Sequence, residues 1–185
     1  LEGGNGPALL AGLDLPASVA IREQIGGAPA TLEVISMSGP GTLVVGADLD
    51  PPGASAMLLA EQGASIGGGG VINRSLPVTT RDPAGNTTDY ADPRLLRERG
   101  LAVSLERAGV AGEVAIVAGL RGKAAAQLCE GEAPELPTIG ASAVGFAVAA
   151  LAERGESGSV LAVEQAAVAV AELDSGPIAI SRDEL

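Results

Sequence analysis

The chain has 185 residues, a formal net charge of −12, 46% apolar residues and only 1% aromatics. That is enough for one sizeable core of Ala, Val, Leu and Ile, and the acidic balance argues against nucleic acid or an anionic membrane as the main partner. His is absent and Cys129 is alone, which excludes Ser-His-Asp and Cys-His catalysis, His-based metal sites, thiolate clusters and a disulfide framework.

In chain order, Gly3–Gly12 is rich in Gly, Ala and Leu and opens a helix. Pro16–Ile25 reads as a short helix, with Pro at its first position and Gly26-Gly27 at its stop. Thr31–Met37 reads as a strand. Next come a strand over Thr42–Ala47, an acidic Pro-rich loop over Asp48–Ser55 and a second strand over Ala56–Ala60. A continuous apolar run between turn residues is what a strand covered on both faces looks like. Gly67–Gly70 is a flexible break, and Ser75–Tyr90 is a polar loop with turns at Asp82-Pro83 and Gly85-Asn86.

Asp92-Pro93 starts a helix that runs to about Ala108 and stops at Gly109. Gly100 inside it costs roughly 1 kcal/mol relative to Ala. Glu113–Ala118 is a buried strand, Gly122–Leu128 a short helix, and Gly140–Arg154 a longer, nearly all-apolar helix. Ser159–Val163 and Ala167–Leu173 are strands, and Pro177–Ile180 a last short one. This alternation predicts a layered α/β fold with helices covering the sheet. Ala141–Ala152 is too short to span a bilayer. No signal peptide is visible, so the expected location is the cytoplasm. The first residue is Leu, as in a processed chain or a piece of a longer product.

The segment Gly41–Glu61, GTLVVGADLDPPGASAMLLAE, pairs an "LVVGAD" strand with "GA-A-LL". This wording resembles the thiolase superfamily, and within it the hydroxymethylglutaryl-CoA synthase-like branch. The resemblance implies two similar α/β halves face to face. With 185 residues the chain is short for two full halves. It resembles the end of the first half (residues 1–90) joined to the second half (91–185), read as a single thiolase-like domain.

Four motif frames carry the comparison. The family's nucleophilic Cys opens a C-Y-G-G-T-A-A-L segment; the matching stretch is Glu2-Gly3-Gly4-Asn5-Gly6-Pro7-Ala8-Leu9, with Glu2 in the nucleophile place. A carboxylate cannot form the thioester intermediate. The family's general-base His ends a strand before a Pro-x-Gly-Lys-like turn; Ala118 takes that place in Val114–Lys123, with Gly122 and Lys123 retained. The family's Asn, which helps to polarise the thioester carbonyl, opens the long helix; Ala141 stands there, in Gly140-Ala141-Ser142. The Y-G-x-G turn of the last two strands corresponds to Glu164-Gln165-Ala166-Ala167. The resemblance therefore implies a catalytically silent subunit with no cofactor. Arg121 and Lys123 lie where the family brings basic residues close to the entry of CoA or acyl-CoA.

The implied partners are a thiolase-like subunit, in a homo- or hetero-oligomer, or a zinc-ribbon/OB-fold acyl-CoA-binding protein. Two rival readings are an active CoA-dependent acyltransferase or condensing enzyme, which would need Cys129 as its thiol, and a non-catalytic acyl-CoA binder. Simpler readings stand beside each residue. Glu2 is an exposed residue near a ragged terminus, and Lys123 is a surface lysine on a helix. Cys129, next to Glu130 and Glu132, is a structural thiol, because carboxylates disfavour the thiolate. Gly67–Gly70 lacks the Lys-Ser/Thr ending of a phosphate loop, and Asp48, Asp50 and Glu61 lack the spacing of a calcium loop. The sequons at Asn73 and Asn86 and the C-terminal Arg-Asp-Glu-Leu are read as chance matches.

Overall fold

In the computed structural model the described residues are 6–16, 18–24, 26–73, 79–89 and 99–182. The chain begins with helix α1 (Gly6–Gly12) and α2 (Ala28–Met37). Strands β1 (Leu43–Leu49), β2 (Pro52–Leu58), β3 (Ser65–Gly68), β4 (Ile72–Asn73), β5 (Thr79–Arg81) and β6 (Thr87–Asp89) follow. Then come α3 (Leu101–Arg107), β7 (Ile116–Ala118), α4 (Gly122–Ala126), α5 (Ala143–Arg154), β8 (Gly158–Glu164) and β9 (Ala167–Asp174).

The main sheet runs β3-β9-β8-β7, with β4 also on β9. β8 and β9 form an antiparallel hairpin from Gly158↔Leu173 to Glu164↔Ala167. β7 lies parallel to β8, Ile116 opposite Val160 and Ala118 opposite Ala162. A parallel pair needs a long crossover, and α4 and α5 supply it. Along β8 the four residues Val160–Val163 are all buried. Val160 and Ala162 join Leu32, Ile35, Val144, Ala147 and Leu151 from α2 and α5. Leu161 and Val163 join Val117, Cys129 and Val168, with Leu101 and Leu105 of α3 packed on them. The fold is therefore mixed α/β, with helices on both faces of its central sheet, as the alternation of elements implied.

Several boundaries differ from the sequence reading. Thr31–Met37 is helical, part of α2. Pro29 sits in the first turn, and Ala28, Leu32 and Ile35, all buried, recur at helical spacing. That periodicity outweighs the β-branched residues. The reverse holds for Pro16–Ile25, whose described residues form no helix. There Val19, Ile21 and Glu23 alternate, and with Leu10 of α1 they line a cleft. Pro177–Ile180 forms no strand, and Gly67 and Gly68 end β3 rather than a loose break. The Ser75–Tyr90 stretch holds the β5–β6 hairpin, whose turn is closed by Asp82 accepting from Asn86 N at 2.8 Å. Those turn bonds hold the Asp82 carboxyl below its usual value. Of the Asp92–Ala108 helix, α3 is the described part; Asp92 and Pro93 lie outside the described residues.

The largest correction concerns Gly41–Glu61. Asp48–Ser55 is not a loop. β1 and β2 pair antiparallel from Leu43↔Leu58 to Leu49↔Pro52, leaving Asp50-Pro51 as the turn. Nor is β1 covered on both faces: its residues alternate, with Leu43 and Val45 exposed and Val44 and Gly46 buried. The inner face of this hairpin packs on α5. Close approach is possible because glycine stands at the contacts. A Cβ at Gly46 would sit 2.5 Å from the Ala141 carbonyl oxygen, and one at Gly145 would run into the Ser55 side chain.

Gly→Ala inside a helix ordinarily gains about 1 kcal/mol from propensity. Gly145→Ala is expected to lose about 1–3 kcal/mol instead, because Ser55 is held by strand β2 and the backbone must shift. Urea denaturation of the variant checks the sign.

Candidate functional site

The start of α5 is held by a cluster of hydrogen bonds. A helix leaves its first amides without intrahelical partners, and burial makes an unpaired amide costly. The amides leading into α5 find their partner 93 residues earlier: Asp48 of β1 accepts from Ala141 N at 2.6 Å. The same carboxylate accepts from Ser142 N at 2.9 Å and from Ser142 Oγ. Ser142 Oγ lies 2.7 Å from Thr138 Oγ1, and both residues are buried. Gly140 makes room, since a Cβ there would collide with Asp48 Oδ1. Negative charge is favoured at a helix N-terminus by the partial charges of its amides, so Asp48 gains from both geometry and field.

Ala118 ends β7 fully buried, with its side chain in the cluster shared with α2 and α5. The next residue, Gly119, has φ +98°, and a Cβ there would strike the Val163 carbonyl. Arg121 then reaches across and donates from Nη2 to the Pro137 carbonyl at 2.5 Å. This bond stitches the turn after β7 to the segment leading into α5. Lys123 is exposed on α4. So the structure brings the Ala118 and Ala141 regions to one end of the fold, joined through Arg121. Glu2 lies outside the described residues.

Cys129 is buried and belongs to the cluster on the opposite face of the sheet from α5. Burial pushes its thiol up from the ordinary value of 9.0, against smaller lowering effects from the Val117 amide and Arg154. The thiol is therefore neither on the side of Ala118 and Ala141 nor activated as a nucleophile.

Glu164, at the end of β8, performs for α2 what Asp48 performs for α5. Its Oε2 accepts from Gly27 N at 2.6 Å, just before the first residue of α2. Neither role stands out in the sequence, where Asp48 reads with Asp50 and Glu61 as a solvated acidic loop; among the described residues no group of three or more metal-binding side chains occurs. A readable signal existed: Val44, Gly46 and Asp48 share one strand phase, so an acid follows two inward positions.

Two clefts mark the surface. One is lined by Leu10, Val19, Ile21 and Glu23, the other by Ala115, Glu130, Glu132, Arg154, Glu156 and Ser157. Neither includes Ala118, Ala141 or Lys123. No helix of the described residues is long and apolar enough to cross a membrane. No protein-family model, curated protein or solved structure gives a match to the chain.

Asp48→Ala is expected to cost about 2–4 kcal/mol, since it removes a cap and leaves buried donors without their charged acceptor; Asp48→Asn should recover part. Denaturant midpoints check both. For Cys129 the folded state binds the thiol proton more tightly than the unfolded state. Stability is therefore full below the unfolded value and falls as pH rises through the higher folded one. Between pH 8 and 10.5 the wild type should lose stability faster than Cys129→Ala, measured by urea denaturation at each pH.

Proposed function

We propose that the protein is a catalytically silent, thiolase-like subunit, a structural or regulatory partner in an acyl-CoA condensing or acyltransferase complex. The supporting observation is the closed helix start at α5. An acyl-transfer site needs donors free to meet a developing oxyanion, and a nucleophile within reach of a base. At this end of the fold the amides of Ala141 and Ser142 are already held by Asp48. The neighbouring strand ends in the methyl group of Ala118, fully buried. The lone thiol lies across the sheet with its proton held more tightly than usual.

The mixed α/β layering agrees with the resemblance carried by Gly41–Glu61, and the partner classes follow from it: a thiolase-like subunit, or a zinc-ribbon/OB-fold acyl-CoA-binding protein. Exposed Lys123, two residues from Arg121, favours the acyl-CoA-binding reading as the alternative, because a compact ammonium suits a phosphate.

Incubated alone with acetyl-CoA and acetoacetyl-CoA, the purified chain is expected to leave CoA release at background, read with a thiol reagent. Robust release that depends on this chain alone would overturn the proposal. Calorimetric titration with CoA separates the alternative: binding that Lys123→Ala weakens severalfold supports the binder, and no heat removes it.

A further inference from the structure

The β1–β2 hairpin has two unlike faces. Its inner face carries Val44, Gly46, Asp48, Gly53, Ser55 and Met57 against α5 and its surroundings. On its outer face every position is apolar. In the hairpin register Leu43 stands opposite Leu58, Val45 opposite Ala56, and Leu49 opposite Pro52, with an alanine pair between them. All of these positions are exposed. The large ones are bare to an unusual degree: Leu43 53%, Val45 51%, Leu58 70% and Leu49 96%.

Isolated exposed apolar residues need no explanation, but a contiguous face does. A contiguous apolar face rimmed by polar surface is what marks an interaction site on a soluble protein.

We infer that this face is the contact between two copies of the chain, hairpin packed on hairpin about a two-fold axis. Charge selects the occupant. The chain carries −12, so a partner chosen by opposite charge would meet acids at its docking site, yet this face has none. Asp48 points inward to α5, and Asp50 sits in the turn. A face free of charge is what allows two strongly acidic copies to touch without juxtaposing carboxylates. A two-fold contact also requires one surface to complement itself. Two hairpin faces with the short side chains of Ala47 and Ala54 at their centres meet that requirement as sheet packed on sheet. The inference deepens the silent-subunit reading by naming its oligomer surface, and rests on that reading for its biological meaning.

Sedimentation of the full chain from about 1 to 200 µM tests it. Expected is a concentration-dependent dimer that tightens severalfold between 50 and 500 mM NaCl, because salt screens the repulsion between acidic copies while apolar contact persists. Val45→Asp and, separately, Ala54→Asp should each weaken dimerisation at least tenfold. Both positions face solvent in the single chain, so their urea midpoints should stay near wild type. A monomer at every concentration and salt overturns the inference. So does a dimer indifferent to both substitutions, or one that forms only when another protein is added. CoA release measured on the same samples keeps the two readings apart. A silent monomer removes the interface alone, and an active dimer removes the silent-subunit reading alone.

Discussion

One carboxylate holds the two parts of this fold together. Asp48 belongs to a hairpin that shares no strand pairing with the main sheet, and its oxygens accept from the Ala141 and Ser142 amides just before α5. Beside that carboxylate, the hairpin rests on the helices through glycine contacts, buried Val44 and partly buried Met57. The glycine contacts carry little apolar area, because glycine has no side chain to bury. The cap supplies direction where packing supplies closeness. Gly46, Gly140 and Gly145 bring the backbones near enough for the carboxylate to reach, and the carboxylate in turn prevents the hairpin from sliding along the helix. Charge-assisted bonds of this kind are worth roughly twice neutral ones, so the restraint is strong for its size.

The same device recurs at α2, where Glu164 reaches Gly27 N. In an open α/β sheet the strand ends and helix starts are where ligands usually bind, because free amides point there. This chain fills both helix starts with its own acids. The consequence is chemical as well as structural. An incoming carboxylate, phosphate or acyl oxygen at α5 would have to displace Asp48 and leave Ser142 and Thr138 searching for new partners in a buried place. A helix start closed in this way has become part of the scaffold, which is why the alanines at 118 and 141 read as packing residues.

Much of the architecture was legible because the chain is so aliphatic. β8 and β9 are legible as short, mostly apolar runs, and α5 as a long apolar segment ended by Gly155 in the left-handed region. The helix over Ala28–Met37 was hidden because its stripe is narrow and includes small residues, so β-branched residues dominated the local impression. The hairpin turn was hidden for another reason: Pro51 and Pro52 look like a loop, yet Pro52 can begin a strand because the first position tolerates a missing donor. The tertiary caps could not be found from spacing at all. Asp48 and Ala141 are far apart in sequence, and only the folded backbone brings them into register.

The two faces of β1 follow from one period-two pattern under opposite demands. Of the inward positions, Val44 enters the core, Gly46 lets the segment before α5 approach, and Asp48 supplies the acceptor its amides need. Outward positions meet no such demand, and a solvated strand would ordinarily place charged or hydroxyl side chains there. Leu43, Val45 and Leu49 stand there instead, in a chain whose net charge of −12 shows no shortage of acids. Placing those acids elsewhere, while leaving a bare leucine at 96% exposure on the hairpin, gives the outer face the composition of an interior layer. The constraint that set the inner face was the helix start at Ala141; the outer face, free of that constraint, carries the apolar side chains that the proposed contact would cover.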